Sequence, residues 1–137
     1  MKNKFILKKV SAFTLNELLV VLVIIGILVL IALPNLMPLI SKAKSVEAQT
    51  NLGHLYSLEK THFYMYSKYS PSAEEIGFEQ EKLVTDNGTA NFLVEIIEAS
   101  ASGFKAKATA VVDFDGDGVF NVWQIDQNKK LVELVKD

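Results

Sequence analysis

Hydrophobic positions fall along this chain in two unlike patterns. From Leu18 to Leu33 the sequence reads LLVVLVIIGILVLIAL, with no polar side chain, and Phe13-Thr14-Leu15 extends the apolar character toward the N-terminus. Counted from Phe13, the run meets the roughly 20 residues that a helix needs to cross a bilayer core. Beyond Pro34 and Pro38 the pattern becomes amphipathic. Ala48, Leu52, Leu55, Phe63 and Tyr66 recur at spacings near three and four, while Lys42, Lys44, Glu47, Gln49, Asn51 and Lys60 mostly occupy the other faces. The second pattern predicts a helix from about Leu39 to Tyr66. Joined to the first, it makes one nearly continuous helix from about Thr14, on the order of 80 Å long at about 1.5 Å per residue.

Helical signals stop at Ser67-Lys68-Tyr69-Ser70-Pro71, because the residue before a proline resists the α region and Ser-Pro favours a turn. One short helical turn is expected at Ala73 to Ile76, and Asp86-Asn87-Gly88 is a turn signal. Phe92 to Ile97 then reads as a strand. Phe104 to Phe114 alternates: Phe104, Ala106, Ala108, Ala110, Val112 and Phe114 lie on one side, with Lys105, Lys107, Thr109 and Asp113 among the residues on the other. Val119 to Ile125 and Leu131 to Val135 complete the strands, joined by the polar turn Asp126-Gln127-Asn128-Lys129. The expected fold is α+β: a protruding N-terminal helix whose second half packs on a small antiparallel sheet of three or four strands. Three parts follow: a leader at 1–12, a membrane or assembly helix at 13–39, and an exported globular domain at 40–137.

Composition sharpens this picture. With 137 residues, 50% of them hydrophobic, and a mean hydropathy of +0.24, the chain has room for one globular domain beside its apolar segment. It holds no cysteine, so disulfides and thiolate metal sites are excluded. Lys2, Lys4, Lys8 and Lys9 precede the apolar run; without them ten lysines face sixteen acids, a net charge of −6, against −2 for the whole chain. With no arginine and this acidic balance, nucleic-acid binding is not expected. The leading lysines place the N-terminus in the cytoplasm and send everything after Leu33 across the membrane. No nucleophile, base and orienting group can be assembled from the spacing, so the chain is not expected to be an enzyme.

Three features coincide at the N-terminus: a basic leader, a carboxylate (Glu17) just inside the apolar run, and a proline (Pro34) near its end. An acid near a bilayer centre costs about 2.5–3.5 kcal/mol on insertion scales, and such a residue calls for a partner. Nothing else in the run supplies one. A cut between Ala12 and Phe13 would create a protonated α-amine four residues from Glu17, on the same chain or on a sister copy. Two unit charges about 4 Å apart attract by roughly 4 kcal/mol at an effective dielectric of 20, enough to offset that cost. An ordinary signal anchor has no need of the acid, and a cleavable secretory signal has a shorter apolar core.

The segment Ala12-Phe13-Thr14-Leu15-Asn16-Glu17-Leu18-Leu19-Val20-Val21, followed by Pro34, resembles the N-terminal signature of type IV pilins and type II secretion pseudopilins. The resemblance implies cleavage between Ala12 and Phe13 by a prepilin peptidase, methylation of the new Phe13 amine, and a role for Glu17 in assembly. Pro34 corresponds to the family's helix-bending proline. It also implies a homo-oligomeric helical filament, an inner-membrane assembly platform as partner, and a single-pass inner-membrane precursor that ends in an extracellular pilus or a periplasmic pseudopilus. Ala12 stands where the family usually has glycine, and Asn16 where it has an aliphatic residue.

Asp113-Phe114-Asp115-Gly116-Asp117-Gly118 places carboxylates at alternate positions before a glycine, like the first half of a calcium loop. Asn121 falls at the ninth position, Gln124 replaces the closing glutamate at the twelfth, and Asp126 could join if the loop folds back. Calcium held by Asp113, Asp115, Asp117, Asn121 and Asp126 is one reading; no cofactor is required by the other, a glycine-rich hairpin turn. Some pseudopilins resemble this in using calcium to order a C-terminal loop. A membrane-tethered calcium-binding module that never polymerises is the competing function. His54 and His62, eight apart with no carboxylate at ligand spacing, are expected at a surface or interface. Tyr56, Tyr64, Tyr66 and Tyr69 are expected to pack where the helix leaves the sheet, and Glu74-Glu75 to be solvated.

Overall fold

Ser41, Ser45, Ala48, Leu52, Leu55, Glu59 and His62 are the buried residues of the long helix. Their alternating spacing of four and three traces one stripe along its axis, which is the face that receives the sheet. The computed structural model describes residues 11–137, so the leader lysines lie outside the described residues. Helix α1 spans Leu15–Tyr66 and is followed by a 3₁₀ turn at Val84–Asp86 and strands β1 (Phe92–Ala99), β2 (Phe104–Ala110), β3 (Val122–Asp126) and β4 (Leu131–Val135). The strands form one antiparallel sheet in the order β1-β2-β3-β4. This is the expected α+β arrangement of a long helix on a small sheet.

The chain divides into two units, one ending at Asn35 and the other running Leu36–Asp137. In the first, the side chains of the apolar run are all exposed, and none of the most apolar window is buried. Pro34 and Pro38 both lie inside α1. Each lacks an N–H, which leaves the carbonyls of Leu30 and Pro34 without their regular helical donors. The side-chain amide of Asn35 donates to the neighbouring Ile31 carbonyl at 3.4 Å.

In the second unit Ala48, Leu52 and Leu55 join Phe92 and Val94 of β1, Phe104, Ala106, Ala108 and Ala110 of β2, and Ile125 of β3 in one core. The alternation of β2 is as the sequence suggests, and its three small alanines leave room for the helix to approach. Polar side chains then bolt helix to sheet. The Glu47 carboxylate accepts from the Asn91 N–H and side-chain amide, both at 2.7 Å, and from the Phe92 N–H at 3.3 Å. Ser45 donates to Asn121 Oδ1 at 3.2 Å, and Asn121 Nδ2 donates to Glu133 and to the Val135 carbonyl. On the outer edge of β1, the Gln80 side chain accepts from the Val94 N–H and donates to the Phe92 carbonyl, covering part of an edge that would otherwise be open.

Several boundaries differ from expectation. β2 stops at Ala110 rather than Phe114, and β3 starts at Val122 rather than Val119, because the chain leaves the ladder to form the acidic loop. The turn Ala73–Gly77 closes with the Phe78 N–H on the Ala73 carbonyl and the Gly77 N–H on that of Glu74, with Gly77 at φ 76°: the Schellman ending of a single helical turn. At Gly88 an added Cβ would lie 1.9 Å from the Lys82 carbonyl oxygen, so only glycine fits there. Tyr66 continues the apolar spacing but is exposed, and Glu59 and His62 complete the stripe in its place. Leu55, fully buried, is the direct test of this packing. Leu55→Ala is expected to destabilise the second unit by about 2–5 kcal/mol and Leu55→Met by less than about 1.5 kcal/mol, read from denaturant unfolding of the full chain in detergent by Trp123 fluorescence.

Candidate functional site

The N-terminal residues form a compact local arrangement. Thr14 precedes the helix, and its N–H donates to Glu17 Oε2 at 2.8 Å, while the Glu17 N–H donates to Thr14 Oγ1 at 3.3 Å. This is a reciprocal capping box: each side chain satisfies a backbone donor that the first helical turn leaves free. The Thr14-x-x-Glu17 spacing was open to reading from the sequence, and it gives Glu17 a hydrogen-bond partner within its own helix. Ala12 and Phe13 lie just ahead of the box, and both are exposed. Pro34 lies roughly five helical turns beyond Glu17 and takes no part in the box.

The acidic loop gathers differently from the expected set. Asp113, Asp115 and Asp117 each bring a carboxylate oxygen to within 4.8 Å of the others, and the fourth member is Asp137. Backbone donors shape the loop. Asp113 accepts from the Gly116 and Gly118 N–H groups at 2.6 and 2.7 Å, Asp115 from that of Asp117, and Asp117 from that of Val119. The Gly118 and Gly116 amides hold the Asp113 carboxyl below its ordinary range. Gly116 and Gly118 sit at φ 85° and 87°, the left-handed conformation that suits glycine.

Asp137 is 9% exposed; its Oδ2 accepts from the Phe114 N–H at 2.9 Å, and its Oδ1 is buried with no hydrogen-bond partner. Four carboxylates with one buried oxygen unpaired fit a hard cation that takes oxygen ligands, calcium above all, and not the nitrogen and sulfur sets of zinc. The structure does not bring Asn121 and Asp126 to this cluster. Asn121 is fully buried and bonded to Ser45, Glu133 and Val135. Asp126 accepts the Asn128 and Lys130 N–H groups and so closes the β3–β4 turn. Asp137 was missed because nothing local marks it: it reaches the loop only through the sheet, and its carbonyl oxygen accepts from Ser41 of α1.

The histidines part ways. His54 is exposed beside Phe78, while His62 is buried, with Nδ1 at 2.9 Å from the Lys68 carbonyl oxygen. The expectation of a surface or interface position fails for His62 because segment 67–75 folds back over it. Of the tyrosines, Tyr69 packs in the core on Phe63 and Phe104, and Tyr64 and Tyr66 are exposed.

Comparison with known proteins places the N-terminal constellation. Residues 7–33 match the prokaryotic N-terminal methylation motif. By this motif the chain resembles type IV pilin-like proteins. It is also similar to the type IV major pilin protein PilA of Myxococcus xanthus (strain DK1622), with 47% identity over 70 residues, which cover 51% of this chain. The match spans about a third of that relative's length, 32%. For this pilin-like chain the capping box gives a local prediction. Thr14→Ala removes a cap worth about 1 kcal/mol and is expected to speed hydrogen exchange of the Glu17 amide about fivefold in detergent. Unchanged exchange would mean that the box contributes nothing to the helix start.

Proposed function

We propose that this chain is a structural subunit of a type IV pilus-like filament. The observation that carries the reading is the methylation-motif match over residues 7–33, which takes in the start of α1, where the apolar side chains are exposed among the described residues. In this reading the precursor crosses the bacterial inner membrane once, with its N-terminus in the cytoplasm. A prepilin peptidase cuts between Ala12 and Phe13 and the new Phe13 amine is methylated. An inner-membrane assembly platform then moves the helix from lipid into a bundle of other copies. Head-to-tail stacking of that kind gives an open filament, not a closed ring.

Glu17 supplies the register. In the precursor its carboxylate is held by the Thr14 N–H. After cleavage a neighbouring Phe13 amine becomes a stronger, charged partner, and exchanging one for the other fixes how far one copy slides along the next. Similarity to a pilin makes an extracellular pilus the preferred destination over a periplasmic secretion pseudopilus.

The experiment is mass spectrometry of the chain recovered from filaments sheared from cells. The expected species lacks residues 1–12 and carries one methyl group on Phe13; an intact chain beginning at Met1 would contradict the proposal. Glu17→Ala is expected to insert and be cleaved normally while filament yield falls at least about tenfold, since loss of an attraction of even ~1.4 kcal/mol per contact is a tenfold change.

Calcium at Asp113, Asp115, Asp117 and Asp137 is a second part of the proposal, supported by the unpaired Oδ1 of Asp137. The ion would tie the loop to the last residue of the chain and, through Ser41, to α1. Calcium at a hundred times its dissociation constant is then expected to stabilise the second unit by about 2.7 kcal/mol, an effect that Asp137→Asn and Asp117→Asn each abolish or sharply weaken. Thermal unfolding indifferent to calcium would remove this part and leave the filament reading untouched.

A further inference from the structure

An apolar helix stripe is expected to end in apolar residues, yet the last two buried members of this one are Glu59, at 0% exposure, and His62, at 3%. Both turn toward the segment Ser67–Glu75 that folds back from the end of α1. Glu59 Oε2 accepts from the Ser70 N–H at 3.0 Å, while its Oε1 is buried with no hydrogen-bond partner. His62 Nδ1 faces the Lys68 carbonyl oxygen at 2.9 Å, and because a carbonyl can only accept, that nitrogen carries the hydrogen. A neutral ring then presents a bare lone pair at Nε2. This atom is buried without a hydrogen-bond partner, 3.6 Å from Glu75 Oε1. The other oxygen of Glu75 accepts from the Ser70 hydroxyl. With both glutamates ionised and the histidine neutral, acceptor faces acceptor and the cluster is one hydrogen short.

We propose that Glu59, His62 and Glu75 form a proton-holding latch that fastens segment 67–75 to the end of α1, tight in mildly acid solution and looser as the pH rises. The other charged or titratable groups around it are few. From α1 come Lys60, whose Nζ bonds the Tyr69 hydroxyl at 3.0 Å, and Tyr66, whose ring lies 4.6 Å from that of His62. Segment 67–75 adds Lys68 and Tyr69. The β1–β2 turn adds no titratable group, only the Ser100 carbonyl that accepts the Tyr69 N–H.

The sign follows from two displaced carboxyl groups. Burial raises Glu59, so its contribution to the closed latch is complete below its ordinary range and is lost as the pH climbs through the raised value. The Ser70 hydroxyl lowers Glu75, whose contribution is present above its ordinary range and is lost as the pH falls through the lowered value. The latch is therefore tightest between these two values. Opening it releases Tyr69 from its stack on Phe63, 4.7 Å between ring centres, and uncovers the Phe104 end of the core, so the proton controls access to an aromatic surface.

Hydrogen exchange of the Ser70 amide in the full chain in detergent tests this, corrected for intrinsic exchange and referenced to the Ala108 amide of β2. Wild-type protection is expected to be several-fold greater near pH 5.5 than near pH 7.5, the direction set by the raised Glu59 carboxyl. Glu75→Gln offers His62 Nε2 a neutral N–H donor, so no extra proton is needed. Its Ser70 protection near pH 7.5 should rise above that of the wild type, while the slope that burial of Glu59 imposes remains. Glu59→Gln should flatten the slope; if it unfolds, seen as loss of Ala108 protection, the rise in Glu75→Gln decides alone. A flat wild-type profile, an unchanged slope in folded Glu59→Gln, or lower protection in Glu75→Gln at both pH values would overturn the latch.

Discussion

Among the described residues, the apolar side chains from Leu18 to Leu33 are all exposed, with nothing packed over them. A helix with no apolar partner needs either lipid or other copies of itself, because leaving that much hydrocarbon in water costs roughly 25 cal/mol for every Å² exposed. This one requirement orders the rest of the molecule. In the proposed filament it is met by a membrane before assembly and by sister helices after it. The apolar core of the second unit is built from that unit's own residues.

How the second unit does so is visible in the division of labour along α1. Ala48, Leu52 and Leu55 supply the apolar centre of the stripe, against β2 alanines small enough to let the helix settle on the sheet. On either side of that centre the contacts become polar. Ser41 and Ser45 reach the chain's last residue and Asn121, and Glu59 and His62 reach segment 67–75. Directional bonds at the ends of a short apolar patch fix the angle and register of helix on sheet, which a few leucines alone would leave slack. No disulfide assists, and the acidic loop lies where a further tie would join β4, the loop and the helix.

Much of this was legible in the residues. The unbroken run LLVVLVIIGILVLIAL, the change of period after Pro38 and the alternation from Phe104 to Ala110 are strong signals, because each is repeated over many positions and a single exception does not erase it. The Ala12-Phe13 junction and Glu17 lie within a few residues of one another, inside the segment that matches the methylation motif. What could not be read were pairings that only the tertiary fold creates. Asp137 meets Asp113 after a strand returns it to the loop, Asn121 is drawn inward by Ser45, and His62 is covered by a segment that a helical wheel does not include. Tyr66 shows the converse. Its spacing was right, but the sheet does not reach the last turn of the helix, so the side chain stays exposed.

The central claim is that the apolar half of α1 ends packed against the same segment of other copies. Because the chain has no cysteine, one introduced at Leu22, an exposed position of that segment, reports directly on its neighbours. Oxidation of cells carrying Leu22→Cys, followed by shearing, should yield disulfide-linked dimers of the processed chain in the filament fraction. Thiols that remain wholly monomeric there, while the same oxidation links a control cysteine pair, would contradict the account.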